Sequence, residues 1–197
     1  MTKKILSILL VVSATIGLLS FDLPTGWFVA GTHPKSYDMG IDKGAGQDGK
    51  NTATIKSVEK KIAGFGTLMQ NCLPDKYLGK RIRMSGLLKT KDVANWSGLW
   101  LRIDPKGSSE TLGFDNMHDG KKDRSIKGTT DWTKYEIVLD VPLTASNIAY
   151  GALLAGTGQV WFDNLNFEIV DKTVPTTGYG IDVLMPNKEP VNLDFEK

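Results

Sequence analysis

Cysteine is almost missing from this chain: Cys72 is the single thiol in 197 residues, so no internal disulfide can form. Histidine is nearly as scarce. With only His33 and His118 beside that cysteine, no Cys/His spacing suited to zinc exists. An excess of either charge is also lacking. Setting aside the first twenty residues removes two lysines and no acid, which leaves 22 basic against 22 acidic side chains. A balanced chain does not carry the basic footprint of a nucleic-acid binder, and Lys121-Lys122-Asp-Arg124 reads as a solvated run in a polar loop. No Gly-x-Ser-x-Gly elbow, metal triad or credible pair of acid/base carboxylates stands out, so the chain does not read as an enzyme.

The longest apolar run is Ile5–Leu19, preceded by Lys3 and Lys4. It suits a secretory signal segment over residues 1–20 and is shorter than the roughly 20 residues of a membrane span. No clean A-x-A follows, so an uncleaved N-terminal anchor is the alternative and the only expected tie to a membrane. Either way the folded part is expected to be secreted or periplasmic. Without disulfides, its roughly 177 residues must be stabilised by a hydrophobic core, and that length can bury one.

What is present is strands. Runs over 27–30, 37–42, 52–58, 65–70, 80–90, 98–104, 110–117, 134–141, 148–155 and 160–170 are separated by turn signals at intervals that suit an all-β sandwich. Leu73-Pro-Asp-Lys-Tyr-Leu78 is the one short helical piece, since Pro74 can occupy a first helical turn. No long amphipathic helix is seen.

Period-two alternation assigns faces. In Trp96-Ser-Gly-Leu-Trp-Leu-Arg-Ile-Asp104, Leu99, Leu101 and Ile103 make a core face. Trp96, Trp100, Arg102 and Asp104 lie opposite, and a tryptophan on a polar face next to an arginine is unusual. It reads as a sugar-stacking platform or as a satellite cluster covered by a loop or by Trp96. In Arg81-Ile-Arg-Met-Ser85, Ile82 and Met84 point inward and Arg83 to the polar face. In Gly113–Asp119, Phe114 fits the core, while Asn116 and His118 share its parity; that segment either turns into a loop or lines a cleft. Trp100, Arg102, Asn116, His118, Gln70 and Arg83 are therefore the candidate ligand contacts. A lone His118 beside Asp119 is a weak catalytic signal.

The Gly156–Val170 strand, the Gly26-Trp-Phe28 opening and Asn192-Leu-Asp-Phe-Glu196 together resemble the jelly-roll, galactose-binding-like domains of carbohydrate-binding modules. Gly31-Thr-His-Pro-Lys-Ser-Tyr37, Gly64–Gln70, Gly79-Lys-Arg81, Trp100–Asp104, Phe114–Met117 and Lys127–Trp132 are similar to a bacterial subfamily also attached to AraC-type transcription regulators. The resemblance implies a jelly-roll β-sandwich of two antiparallel sheets over 21–170. It also implies a structural calcium held by Asp163 and Glu196, although Glu196 is displaced to the chain end. The remainder, 171–197, is expected to dock as an edge strand. The functional expectation is a non-catalytic binding module for a carbohydrate or cell-envelope polymer. The alternative is a structural or protein-interaction domain of the envelope.

Overall fold

The computed structural model describes residues 20–107 and 110–180. Residues 1–19, where a signal segment is expected, and residues 181–197, with Glu196, lie outside the described residues.

Among the described residues ten strands follow in order: β1 Phe28–Gly31, β2 Tyr37–Asp42, β3 Thr52–Ser57, β4 Phe65–Cys72, β5 Lys80–Pro105, β6 Gly113–Asp115, β7 Ile126–Val141, β8 Ala145–Ala155, β9 Gln159–Val170 and β10 Tyr179–Gly180. All pairings are antiparallel. They form a jelly-roll β-sandwich. The runs expected separately at 80–90 and 98–104 belong to one 26-residue strand, β5, which serves both sheets. Its first half (80–91) lies between β9 and β7, with β3 and β2 beyond β9. Its second half (96–105) lies between β8 and β6, with β4 and β1 beyond β8. Irregular pairing against β7 over 88–97 and a left-handed Asp92 (φ 52°) turn the strand from one sheet into the other.

Alternation along β5 builds the core from both halves. Ile82, Met84 and Leu88 face Leu99, Leu101 and Ile103 across the interior, joined by Ile55, Leu68, Ile137, Leu139 and Phe162. All are essentially inaccessible to water. Without disulfides, this contiguous core carries the stability. Its packing leaves no slack at Gly66, where an added Cβ would come within 2.5 Å of the Tyr37 ring.

The short helical piece is a 3-10 helix at Asp75–Tyr77. β7 begins eight residues before the expected 134, because the Thr-rich stretch 126–133 follows β5 around its bend. Beyond β9 the chain returns along the sandwich. Arg81 donates to the carbonyls of Lys172 and Val174, and Thr177 exchanges bonds with Val138 before β10 pairs with β6.

Candidate functional site

The second half of β5 turns Trp100 and Arg102 away from the core, onto the outer face of the second sheet. Neighbouring strands present apolar side chains there as well. Met69 on β4 and Leu153 on β8 join Trp100, Ala149 and Ala155 in a second cluster, with Phe65, Trp96 and Phe114 partly covered beside it. Trp100 is therefore outward-facing yet only 6% exposed. Its indole N–H donates to Thr67 Oγ1 at 2.8 Å, and that hydroxyl donates to the Ala152 carbonyl at 2.7 Å. A fully bonded, covered tryptophan is a floor and not a free platform.

Above this floor opens a cleft of about 500 Å³. Thr67, Met69, Trp100 and Leu153 form its base; Trp96, Phe65, Phe114, Arg102, Asn116 and Asp119 rise around it. That size and the predominance of apolar lining with a few polar groups fit a ligand site. Arg102 is held by Asp104 through two bonds (2.8 and 3.2 Å), and Asp104 also accepts from Asn147 Nδ2 at 3.0 Å. The sheet thus fixes the arginine's position.

One wall is the loop that follows β6. Asp115, with no accessible surface, anchors it: Oδ1 accepts the Met117 N–H at 2.7 Å and Oδ2 pairs with Arg124 Nη2 at 2.5 Å. Arg124 in turn donates to the Glu136 carbonyl at 2.6 Å. Met117 is buried in a left-handed conformation (φ 67°), and Gly98 leaves room for it, since an added Cβ would lie 3.2 Å from Met117 Cβ. Asn116 Oδ1 accepts the N–H groups of His118 (3.0 Å) and Asp119 (2.6 Å), while its Nδ2 donates to Asp119 Oδ2 (2.9 Å). Those bonds satisfy an asparagine that the turn largely buries. His118 stacks on Trp96, with Asp119 Oδ1 3.9 Å from Nε2 and Asp123 Oδ1 3.7 Å from Nδ1. Hydrogen bonds to Ser125, then the nearby His118, hold the Asp123 carboxyl below its ordinary range.

Of the residues singled out in the sequence, Trp100, Arg102 and Asn116 line the cleft, and His118 backs its Trp96 wall. Gln70 and Arg83 are not brought to it. Met69 faces the cleft, so Gln70, one residue on, points to the opposite side, where it accepts from the Tyr150 hydroxyl and donates to the Gly26 carbonyl. Arg83 belongs to the first sheet and bridges Glu136 and Glu168. Phe114, expected in the core, lies on the cleft side because β6 pairs it with Arg102. Phe65, Thr67, Met69 and Leu153 went unrecognised as lining residues. The available signal was that β4 is apolar on both faces, which a strand with one solvated face is not.

Asp163 lies apart from the cleft, with its Oδ1 accepting the Asn164 N–H at 2.7 Å and the Lys50 ammonium within electrostatic reach. Among the described residues, no group of three or more His, Cys, Asp or Glu side chains is placed to hold a metal ion.

No protein-family model matches the chain. It is 44% identical over 176 residues to the uncharacterized HTH-type transcriptional regulator YbfP of Bacillus subtilis (strain 168), covering 87% of this chain. The chain spans 57% of that relative's length. Among solved structures, it superposes on the CBM22-1 xylan-binding domain of Paenibacillus barcinonensis Xyn10C with a TM-score of 0.52 and 13% identity, over 76% of this chain and 88% of that one. The enzymatically active domain of bacteriophage CBA120 tailspike protein 4 gives 0.54 and 10% identity, over 74% and 20%. At these identities the likeness is one of fold.

Proposed function

We propose that this chain is an exported, non-catalytic binding module that holds a glycan or similar polymer in the cleft of its second sheet. The observation that carries the reading is the aromatic lining, Trp96, Trp100, Phe65 and Phe114, fixed on and beside a rigid sheet around Arg102 and Asn116. Apolar C–H faces of sugar rings pack on such surfaces, and a few oriented polar groups suffice to bond hydroxyls. A xylan-binding domain of the same fold supports it. The link to AraC-type regulators belongs to the same reading: a domain shared between this chain and a regulator would be the ligand-reading part of each. Asp163 and Glu196 are proposed to hold a structural calcium, in which case chelation by EDTA lowers the melting temperature.

The test is a tryptophan-fluorescence titration of the purified chain with soluble polysaccharides and cell-wall fragments. A saturable change with one polymer class, lost in Trp96→Ala, is the expected result. A flat response across the panel would reject the glycan reading in favour of a protein partner.

A further inference from the structure

The polar groups of the cleft differ in how far the fold has already engaged them. Thr67 is bonded to both Trp100 and Ala152. Asn116 Oδ1 receives two backbone N–H groups, and its Nδ2 donates to Asp119. Arg102 is neutralised by the two-pronged pair with Asp104. Asp119 stands differently: its side chain is 65% exposed, Oδ1 lies 3.9 Å from the nearest histidine nitrogen, and no lysine or arginine pairs with it among the described residues. Asp119 and Asp123 flank the single imidazole of His118 (3.9 and 3.7 Å), so in either charge state of that ring a net negative charge remains on the loop beside Trp96, Trp100, Phe65 and Phe114. Aromatic faces carry negative quadrupole density and attract cations, most strongly at tryptophan. A carboxylate at the rim of such a lining adds a direct ion pair.

Resting on the cleft reading above, we infer that the preferred ligand is a glycan bearing free ammonium groups, an amino sugar without its acyl cap. The ammonium sits by Asp119 and the aromatic wall, while the sugar ring packs on the floor. An acetamido group at the same position brings no charge and asks for a donor to its carbonyl from groups that are already engaged. A hydroxyl leaves the ion pair unmade.

Three β-1,4-linked hexamers that share a backbone and differ only at carbon 2 test this directly: hexameric glucosamine, hexameric N-acetylglucosamine and cellohexaose, titrated calorimetrically into the full chain at pH 5.5. Glucosamine is expected to bind about tenfold tighter than cellohexaose. Asp119→Asn keeps the acceptor for Asn116 and removes the charge, so it brings that ratio close to one. Equal affinity for all three hexamers would leave the cleft a glycan site and overturn the ammonium inference alone. A preference that survives Asp119→Asn would also overturn it, by showing that the charge is read elsewhere. Binding by none of the three would overturn it together with the glycan reading for this backbone.

Discussion

The imidazole of His118 lies nearly flat on the indole of Trp96, ring centroids 4.7 Å apart and planes 24° from parallel. This stack joins the anchored loop after β6 to the second half of β5 and sets the angle of one cleft wall. Trp96 is only partly covered, so its truncation removes ligand contact more than core packing. Trp96→Ala is expected to weaken polymer binding about tenfold or more with a shift in melting temperature of a few degrees. His118→Ala, which removes the backing and not the wall, gives a smaller loss of affinity. Parallel calorimetric titration and thermal melts check both.

Trp100 behaves in the opposite way. At 6% exposure, with its N–H engaged, it is as much a core side chain as a floor. Trp100→Ala is expected to cost about 3–5 kcal/mol in urea denaturation. Trp100→Phe refills much of the volume and loses only the bond to Thr67, about 1 kcal/mol.

Arg124 is the sole cation paired with buried Asp115 among the described residues. Arg124→Met leaves that carboxylate buried and unpaired, an expected loss of about 3–5 kcal/mol. Because the pair also anchors the loop bearing Asn116 and Asp119, ligand affinity falls with it. Asp115→Asn keeps an acceptor for the Met117 N–H and is expected to cost less. Chemical denaturation of the two variants orders them.

Tyr37 gives the chain an alkaline limit. Burial, with a smaller contribution from Glu59, pushes its hydroxyl up to about 12 from an ordinary 10.0. Its O–H is directed to the carbonyls of Gly156 (2.9 Å) and Gly64 (3.2 Å). The folded state holds the proton more tightly than the unfolded one. The stabilisation is therefore complete below pH 10 and lost progressively from pH 10 to 12. A melting temperature that falls across this window in the native chain, and less steeply in Tyr37→Phe, is the expected result.

Much of this arrangement is legible in the sequence because antiparallel strands advertise their faces. Leu99, Leu101 and Ile103 alternate cleanly with Trp100 and Arg102, and the turns between strands are marked by glycine and polar residues. Alternation within a strand does not say which strands are neighbours. Nothing local in Phe65–Gln70 reveals that Met69 shares the cleft floor with Trp100, since that depends on β8 being placed between β4 and β5. Phe114 was misassigned for the same reason: an aromatic residue suits an inner face and a covered outer face equally. Arg83 and Arg102 look alike along β5, and only the bend near Asp92 puts them on different sheets.

The alternation along β5 has a consequence for how the lining of the cleft can change. Along the second half of β5, Leu99, Leu101 and Ile103 belong to the interior and Trp100 and Arg102 to the cleft, so a one-residue slip would exchange the two sets at once. The floor is thus inherited along with the fold, and drift there is penalised as misfolding. In the loop after β6, Asn116, buried Met117 and stacked His118 are held as firmly, and only the exposed Asp119, Lys121, Lys122 and Asp123 are freer to vary. New ligand preferences would arise in that wall, while the floor stays the same from one descendant to the next.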